Sequence, residues 1–549
     1  GAIEPLVGAG TVHGGGGSEA FTPIPERIEH IVARAMSWIA LRRTPHPDKR
    51  IAFLYYDREA GANELMRGST TGMHLHAPRS MVKVLQRMQA DGYALRDVPD
   101  DEKALIDRML DHGRQYGMWN VAELDRLARS GRAVLLPVET YLGWLEKRVE
   151  EADRAKVVEH WGPAPGKAMV WKDDGGREFI VIPRLDLGNV TLLPQPLRGE
   201  AQDPSVLHSG LTPPPHNYIA TYLWLQEELR PHAMVHFGTH GSEFFLPANT
   251  VGLTDRDWPD VLMGAIPNIN PWIIDNVGEV APVKRRAYGV TLGHLTPPIV
   301  TAELSDDLLN LHGLIDKWDS LEEGALREGF RRQITEDVAK LNLAKEAGLG
   351  EEPQAPLSPE QIHKVAEYLH EIEGETTPVS LHVLGEPPRE DLMVPFLTTI
   401  LKRKFLDALG QAITVPEAEE RLPGDRVLYV RRKAEEAVEL VVRRGLSPTD
   451  AFAAIGASAS DAPPDVIKGL ELAADLDARF RKTTDEIDNL MAAFDGKYIE
   501  PGPVNSPIRN PGAVPTGRNL YMLNPEEVPT RPSWDLGKTL IAQMFAKSL

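Results

Sequence analysis

Two histidines and a glutamate stand close together in HFGTHGSEFF, residues 236–245. On an extended strand His236 and His240 would lie about 13 Å apart, at about 3.3 Å per residue, too far to share an ion. Gly238 and Gly241 allow a turn that could bring the imidazoles together. With Glu243 they would form a nitrogen and oxygen ligand set suited to Co²⁺, Zn²⁺ or Mg²⁺. The alternative is one buried structural histidine beside one loop histidine.

The segments before this stretch predict a helix followed by a strand. Residues 216–231 carry an apolar stripe at helical spacing, and Pro231 would end the helix. Residues 233–237, AMVHF, are typical of a buried strand. The loop GTHG would then lie at the carboxyl end of that strand, which is the usual ligand position in a doubly wound α/β sheet.

The whole chain predicts a multidomain α/β protein with doubly wound parallel sheets, large helical insertions and a Pro/Gly-rich C-terminal segment. Residues 50–57 and 379–385 predict buried strands, and the tail after 496 is too rich in proline and glycine for regular elements. With 549 residues, several domains are expected. We expect these segments: 1–48 connecting, 49–175 α/β, 176–301 α/β with the histidine motif, 302–375 helical insertion, 376–495 α/β-helical, and 496–549 returning to the core.

Composition excludes several functional classes. A net charge of −20 argues against a nucleic-acid partner, and the absence of cysteine excludes disulfides and thiolate ligands and fits the cytoplasm. No apolar run reaches the length of a membrane span, and the first residues do not resemble a signal peptide. GPAPGKA (162–168) and RPSWDLGKT (531–539) miss the spacing of a phosphate-binding loop, so we expect no ATP hydrolysis by this chain itself.

Five strings in order resemble one protein family, the large, tetrapyrrole-binding subunits of cobaltochelatase and magnesium chelatase. These strings are LGNVTLLPQP (187–196), PPPHNYIATYLWL (213–225), VHFGTHG (235–241), the region from WPDVLMG to GHLTPP (258–298), and VPTGRNLYMLNPEEVP (514–529). GHLTPP is closer to the cobalt branch, CobN. The resemblance covers essentially this whole chain but only the central part of the family's length.

The resemblance implies a ligase that forms nitrogen–metal bonds and acts as one subunit of a complex, with a place in cobalamin biosynthesis. Its substrates would be Co²⁺ or Mg²⁺ and a tetrapyrrole, either hydrogenobyrinate a,c-diamide or a protoporphyrin-like macrocycle. An AAA+ ATPase subunit and an accessory chelatase subunit would hydrolyse ATP.

His236, His240 and Glu243 would handle the metal, with His240 and Glu243 catalytic as acceptors of pyrrole protons. Basic side chains could pair with peripheral carboxylates of the macrocycle, although a solvated basic run is the alternative. His294 could join the site, or be a satisfied histidine at a strand end. The predicted substrate contacts are His216, Lys284, Arg285, Arg286, His294 and Arg518.

The motif departs from the family in one respect. The family's glutamate falls on Phe244, Glu243 takes the place of an apolar residue, and Gly-Lys becomes Ala248-Asn249. On an extended segment a shift of one residue turns a side chain to the opposite face. We therefore expect Glu243 to point away from the histidines and insertion to be weak or absent. The alternatives are a non-catalytic tetrapyrrole-binding carrier, sensor or scaffold on the same fold, and a metal-dependent hydrolase.

Overall fold

The structure is a computed structural model that describes residues 8–13, 19–56, 74–116, 120–199, 206, 209–238, 240–299, 306–319, 321–350, 355–375, 380–416, 425–456, 462–522, 534 and 537–541. The chain divides into two compact units. Unit 1 contains Gly1–Thr296, Leu381–Pro387 and Ala478–Leu549, and unit 2 contains Pro297–Ser380 and Pro388–Asp477.

Unit 1 is built on an eight-stranded sheet whose central strands run parallel, and it also contains a three-stranded and a two-stranded antiparallel sheet. The strands are β1 (Ala9–His13), β2 (Glu19–Pro23), β3 (Ile51–Tyr55), β4 (Val134–Pro137), β5 (Val170–Lys172), β6 (Glu178–Ile182), β7 (Leu185–Asp186), β8 (Val190–Pro194), β9 (Ala233–Phe237), β10 (Asn268–Ile273), β11 (Gly289–His294), β12 (Pro501–Pro503) and β13 (Asn519–Tyr521). The large sheet has the order β12-β13-β11-β10-β9-β3-β8-β7, in which β8, β3, β9, β10 and β11 are parallel.

The helices of unit 1 before residue 297 are α1 (Pro25–Arg43), α2 (Ala77–Ala90), α3 (Glu102–His112), α4 (Val121–Arg129), α5 (Val138–Arg148), α6 (Glu151–Trp161), α7 (His216–Trp224), α8 (Trp258–Met263) and α9 (Val277–Arg286). A π-helical turn, Leu225–Leu229, continues α7. The next helices are α10 (Asp306–Asp319), α11 (Ala325–Lys340), α12 (Pro359–Glu375), α13 (Glu390–Ala412), α14 (Asp425–Arg444), α15 (Pro448–Ala454), α16 (Pro464–Phe480) and, in unit 1, α17 (Asp485–Phe494).

Strand alternation decides which side chains of β9 face which side of the sheet. Ala233, Val235 and Phe237 belong to a hydrophobic core with residues of α2 and α17. Because successive side chains of a strand point to opposite faces, Met234 and His236 lie on the other side. The carboxyl ends of β9, β10 and β11 meet at one edge of this sheet, where the histidine motif begins.

Unit 2 is helical in the residues that the structure describes. Its first helices, α10, α11 and α12, pack around a core in which the largest side chain is Trp318. Ser358 lies just before α12, and its hydroxyl accepts a hydrogen bond from the backbone N–H of Gln361 at 3.3 Å, as expected of a helix N-cap. α13 and α14 pack against each other along their length, with Val430 of α14 against Gly410 of α13.

The mixed α/β class, with a mainly parallel sheet, confirms the fold class that the sequence predicts. The large sheet joins strands from the predicted segments 49–175, 176–301 and 496–549, so these segments contribute to one unit. Two local predictions are wrong. Residues 380–385 form only an isolated bridge between Leu75 and His382, and the tail contributes the short strands β12 and β13. Such brief strands carry too few residues for a periodic signal.

No helix in the described part of the chain is long and apolar enough to span a membrane.

Candidate functional site

His236 lies near the carboxyl end of β9 and is completely buried. The backbone carbonyl of Ala287 accepts the amide hydrogen of Asn268, 3.0 Å away, so the amide oxygen of Asn268 must face Nδ1 of His236 at 2.9 Å. Since that oxygen can only accept, Nδ1 carries the hydrogen. Nε2 is the nitrogen left to accept, and the Tyr222 hydroxyl lies 3.0 Å from it.

Glu243 lies beside His236, which contradicts the expectation that it points away. Its Oε2 is 3.4 Å from Nε2 of His236, and both side chains are fully buried. The expectation fails because Glu243–Phe245 is a 3₁₀ turn rather than a strand, so strand alternation does not apply. Oε2 has no hydrogen-bond partner among the described residues, while Oε1 is 3.5 Å from the Asn268 amide.

Two glycines shape the chain between the histidines. Gly238 has φ +100°, in the left-handed region that disfavours other residues. Gly241 passes so close to the acid that a Cβ there would lie 1.9 Å from Oε2 of Glu243 and 2.4 Å from Cδ2 of His236. The close approach of Glu243 to His236 therefore depends on a residue without a side chain at 241.

Hydroxyl groups from α7 surround the pair on the buried side. The side-chain amide of Gln195 donates to the hydroxyls of Tyr218 and Tyr222, both at 2.9 Å, and the Tyr218 hydroxyl lies 3.0 Å from Oγ of Ser242. Burial raises the pKa of Tyr222 well above its usual value, so its hydroxyl stays protonated and can donate to His236. The network fixes the orientation of the imidazole.

His240 makes a second pair with a residue that the sequence did not single out. Its Nε2 lies 2.8 Å from Oε2 of Glu279, in the first turn of α9. Nδ1 lies 2.8 Å from the carbonyl oxygen of Gly241 and so donates its hydrogen there. The ring stacks on Trp272, with centroids 4.9 Å apart and planes 20° apart, and Phe244 packs at 5.1 Å.

The predicted ligand set of His236, His240 and Glu243 is thus divided between two pairs. In the part of the chain that the structure describes, no group of three or more histidine, aspartate or glutamate side chains is arranged to hold a metal ion. His236 pairs with Glu243, and His240 pairs with Glu279.

His294 lies on the face opposite His236, because it alternates in step with Leu292 of the α2–α17 core. Its ring stacks on His382 at 5.6 Å, and His382 Nε2 donates to Glu486, 2.7 Å away. Burial lowers the pKa of His294 to about 4, and the His382 ring adds to the effect. His294 was predicted to join the site of His236, but it lies on the other face of the sheet.

Most of the basic side chains that were predicted to contact substrate donate hydrogen bonds to other groups of the protein. Arg286 donates to the carbonyl oxygen of Leu246, and burial lowers the pKa of Arg286. Arg518 donates to the carbonyls of Pro515 at 2.9 Å and Gly512 at 2.6 Å. Lys284 donates to the Asn519 amide oxygen at 2.6 Å. These side chains fasten loops and strand ends, which is a different role from the predicted one.

Arg285 is exposed on the last turn of α9.

His216 is likewise held at both ring nitrogens. Nε2 donates to the carbonyl oxygen of Gly162 at 3.0 Å, and Nδ1 accepts from the Tyr141 hydroxyl at 2.8 Å. Burial lowers the pKa of His216, so the ring is neutral. In this structure His216 holds the loop at Gly162 and the Tyr141 hydroxyl, and its predicted contact with substrate stays a prediction.

A family model described as CobN/Magnesium Chelatase matches residues 1–549, which is the entire chain. The chain belongs to this family. The match confirms the resemblance that the five sequence strings carry.

Named relatives of this chelatase family include both metal branches. The chain is 30% identical over 557 residues to the aerobic cobaltochelatase subunit CobN of Pseudomonas aeruginosa, covering 93% of this chain and 42% of that protein. It is 28% identical over 592 residues to the chloroplastic magnesium-chelatase subunit ChlH of Oryza sativa subsp. indica, covering 100% of this chain and 40% of that protein.

A solved structure described as the catalytic subunit of cobaltochelatase from Mycobacterium tuberculosis superposes with a TM-score of 0.70 at 26% identity. The superposition covers 99% of the present chain and 45% of the cobaltochelatase chain. The present chain therefore spans less than half the length of these chelatase relatives.

The sequence analysis missed three residues of the candidate site: Tyr222, Asn268 and Glu279. The sequence analysis assigned Tyr222 only to an apolar helix stripe. The signal that could have identified it is its position on the helix directly before the strand that carries His236. Asn268 stands at the start of an otherwise apolar strand, where an amide is costly unless it is bonded. Glu279 follows β10, whose carboxyl end is adjacent to that of β9.

Proposed function

We propose that this chain is the tetrapyrrole-binding and metal-inserting part of a chelatase large subunit, which places Co²⁺ or Mg²⁺ in a corrin-type or porphyrin macrocycle. The observation that carries the proposal is the buried His236–Glu243 pair, 3.4 Å apart. Among the described residues, Oε2 of Glu243 has no hydrogen-bond partner. A buried carboxylate oxygen without a partner is costly and marks a functional position.

Metal insertion releases two pyrrole N–H protons for each divalent ion that enters the ring. Glu243 Oε2 is suited to accept one of them as a general base, and Nε2 of His236 beside it is suited to accept the other. The Asn268 amide keeps Nδ1 of His236 protonated and so leaves Nε2 as the accepting nitrogen. When Nε2 takes the proton, the Tyr222 hydroxyl that donated to it turns its hydrogen to the amide oxygen of Gln195, 3.3 Å away.

Both groups are fully buried in this conformation, so a macrocycle reaches them only after a local opening. We assign the energy for that opening to ATP hydrolysed by an AAA+ subunit acting with an accessory subunit. The chain itself lacks a sequence with the spacing of a phosphate-binding loop. The cysteine-free sequence supports a cytoplasmic location for the complex.

A second candidate is a tetrapyrrole-binding protein without insertion activity. The observation that favours it is Phe244, which occupies the sequence position of the family's glutamate and packs against His240 and Trp272 at 5.1 and 6.2 Å. In this reading the pocket retains the macrocycle and lacks the acid at the family's position.

A spectral titration tests tetrapyrrole binding, and a turnover assay separates the two candidates. Hydrogenobyrinate a,c-diamide and protoporphyrin are titrated separately into the protein, and the shift of their visible absorption bands is followed. We expect saturable shifts with at least one of them. No shift with either would overturn both candidates, and binding without cobalt or magnesium insertion, in the presence of the ATPase subunits and ATP, would select the second.

A further inference from the structure

We infer that His240 and Glu279 form an outer receiving site for the hydrated substrate ion, separate from the His236–Glu243 pair that handles protons. The inference rests on the proposed function, because it assigns the ion's first contact in the same reaction. It adds Glu279 to the site and gives the two histidines different tasks.

The geometry of His240 leaves one nitrogen directed at one oxygen. Nδ1 is committed to the carbonyl of Gly241 at 2.8 Å, and the ring is stacked on Trp272, so Nε2 has a fixed direction. That direction leads to Oε2 of Glu279 at 2.8 Å. Histidine ligands of metals commonly donate their other ring hydrogen to a carbonyl or carboxylate, as His240 does.

The spacing of the two atoms suits one divalent ion. Ligands about 2.1 Å from a Mg²⁺-sized ion and at right angles are about 3 Å apart. Nε2 and Oε2, at 2.8 Å, are close to that separation, so a small shift of the Glu279 carboxylate brings both atoms onto one ion. An ion bound by both atoms replaces the hydrogen bond between them. The proton of that bond, carried by Nε2, is released to water past the Glu279 side chain, which is 30% exposed, against 9% for His240.

Glu279 is held in place by its neighbours. It stands in the first turn of α9, where the helix dipole favours negative charge. The amide of Asn276 donates to its Oε2 at 2.7 Å. The contact between Glu279 and His240 therefore links a helix start to the loop after β9, and both are fixed by neighbours before any ion arrives.

A site with two protein ligands fits an ion that must leave again. Among the described residues no third histidine, aspartate or glutamate completes a metal site. An ion held here would keep several waters and remain exchangeable, whereas a closed set of protein ligands would retain it. A substrate ion has to be released into the macrocycle, so weak, hydrated binding is the useful kind.

Gly241 connects the outer pair to the inner one. Its carbonyl oxygen accepts from Nδ1 of His240, and a Cβ added to Gly241 would collide with the Glu243 carboxylate and the His236 ring. One residue is thus in contact with both pairs. Only Gly241 would separate an ion bound at His240 and Glu279 from the two groups that accept the pyrrole protons.

Calorimetric titration with CoCl₂, without tetrapyrrole, tests the inference on the protein and on Glu279→Gln, His240→Ala and the double variant. Glutamine keeps an oxygen that can accept from His240, so it removes the charge with little change in shape. We expect each single variant to weaken Co²⁺ binding about 10- to 100-fold, and the double variant to weaken it no further.

Glu102→Gln is the matched control. Glu102 also stands in the first turn of a helix facing a histidine, His76, but at 3.6 Å and on the surface. Its replacement should leave Co²⁺ affinity unchanged. Paramagnetic broadening of the His240 ring signals on addition of Co²⁺ gives a measurement on the unmodified protein, which remains decisive if a variant fails to fold.

Wild-type affinity in folded Glu279→Gln, or the absence of broadening at His240, would overturn the inference. A loss in Glu243→Gln in place of Glu279→Gln would move the first contact to the inner pair and also overturn it. Because no macrocycle is present, these outcomes are independent of tetrapyrrole binding. Co²⁺ binding at His240 and Glu279 by a protein that binds no tetrapyrrole would support the ion site and refute the proposed function.

Discussion

Nε2 of His236 and Oε2 of Glu243 lie 3.4 Å apart in the buried interior of unit 1. By the sequence resemblance the family's glutamate falls on Phe244, yet Glu243, one residue earlier, lies beside a motif histidine. The 3₁₀ turn Glu243–Phe245 makes this possible by directing Glu243 inward. A carboxylate one residue away from the expected position therefore lies beside the motif histidine.

Gly241→Ala should disrupt the site. The added Cβ would lie 1.9 Å from Oε2 of Glu243, so the turn or the acid must move, at a cost of about 1–3 kcal/mol in unfolding free energy. Gly278→Ala is the control, because nothing lies within 4 Å of its added Cβ in helix α9. Chemical denaturation measures both, and equal stability in the two variants would show that the turn yields without cost.

Tyr222→Phe should destabilise the protein by about 1–3 kcal/mol, because Nε2 of His236 and the amide of Gln195 lose a buried hydrogen-bond partner. Tyr498→Phe, at an exposed position, should have no measurable effect. Thermal and denaturant unfolding provide the comparison. A Tyr222→Phe protein as stable as the parent would mean that the hydroxyl does not hold the imidazole.

Exchanging the acid and the aromatic residue, Glu243→Leu with Phe244→Glu, restores the family's order in sequence. In this structure it would place a carboxylate in the buried space between His240 and Trp272 and leave His236 without its acid. We expect lower stability and no gain in metal insertion, measured by unfolding and by absorption spectra of the product. A higher insertion rate in the exchanged protein would show that position 244 is the functional one.

Asp495 should make stability depend on pH at the acidic end. Burial alone would raise its pKa, but hydrogen bonds from His46, Lys497 and Lys49 outweigh burial and lower the pKa to about 2. Because the carboxyl group is more acidic in the folded chain, its stabilisation is complete above about pH 4 and is lost as pH falls towards 2.

We expect that loss to be about 1–2 kcal/mol, since the side chain is partly exposed. The thermal midpoint of the parent should fall more steeply from pH 5 to pH 2 than that of Asp495→Asn. Asp174→Asn, at an exposed ion pair with Arg129, serves as the control and should follow the parent. Parallel curves for the parent and Asp495→Asn would contradict the assignment.

Local patterns predicted the elements that present the motif. The apolar run at 50–57 is strand β3, the amphipathic stretch after it is α2, and AMVHF is β9, with its histidine at the carboxyl end of a parallel strand. These predictions succeed because a strand buried on both faces is a continuous apolar run, and a helix buried on one face has apolar residues at helical spacing.

Contacts between segments that are distant in the sequence produce no local pattern of this kind. Glu279 reaches His240 only because β9 and β10 are neighbours in the sheet, and His382 meets Glu486 across 104 positions of sequence. The orientation of Glu243 was mispredicted for a local reason: two glycines and a serine replaced the strand by a turn, and strand alternation was applied where no strand exists.

The most direct test of the central claim is the rate of cobalt insertion by the parent and by Glu243→Gln, each supplied with the ATPase subunits of the proposed complex and with ATP. Loss of a general base lowers rates by about 10²- to 10⁴-fold, and we predict a loss in that range. Tetrapyrrole affinity, measured by absorption in the same preparations, should change little, because glutamine retains the shape of the side chain. Insertion by Glu243→Gln at the parent's rate would contradict the account.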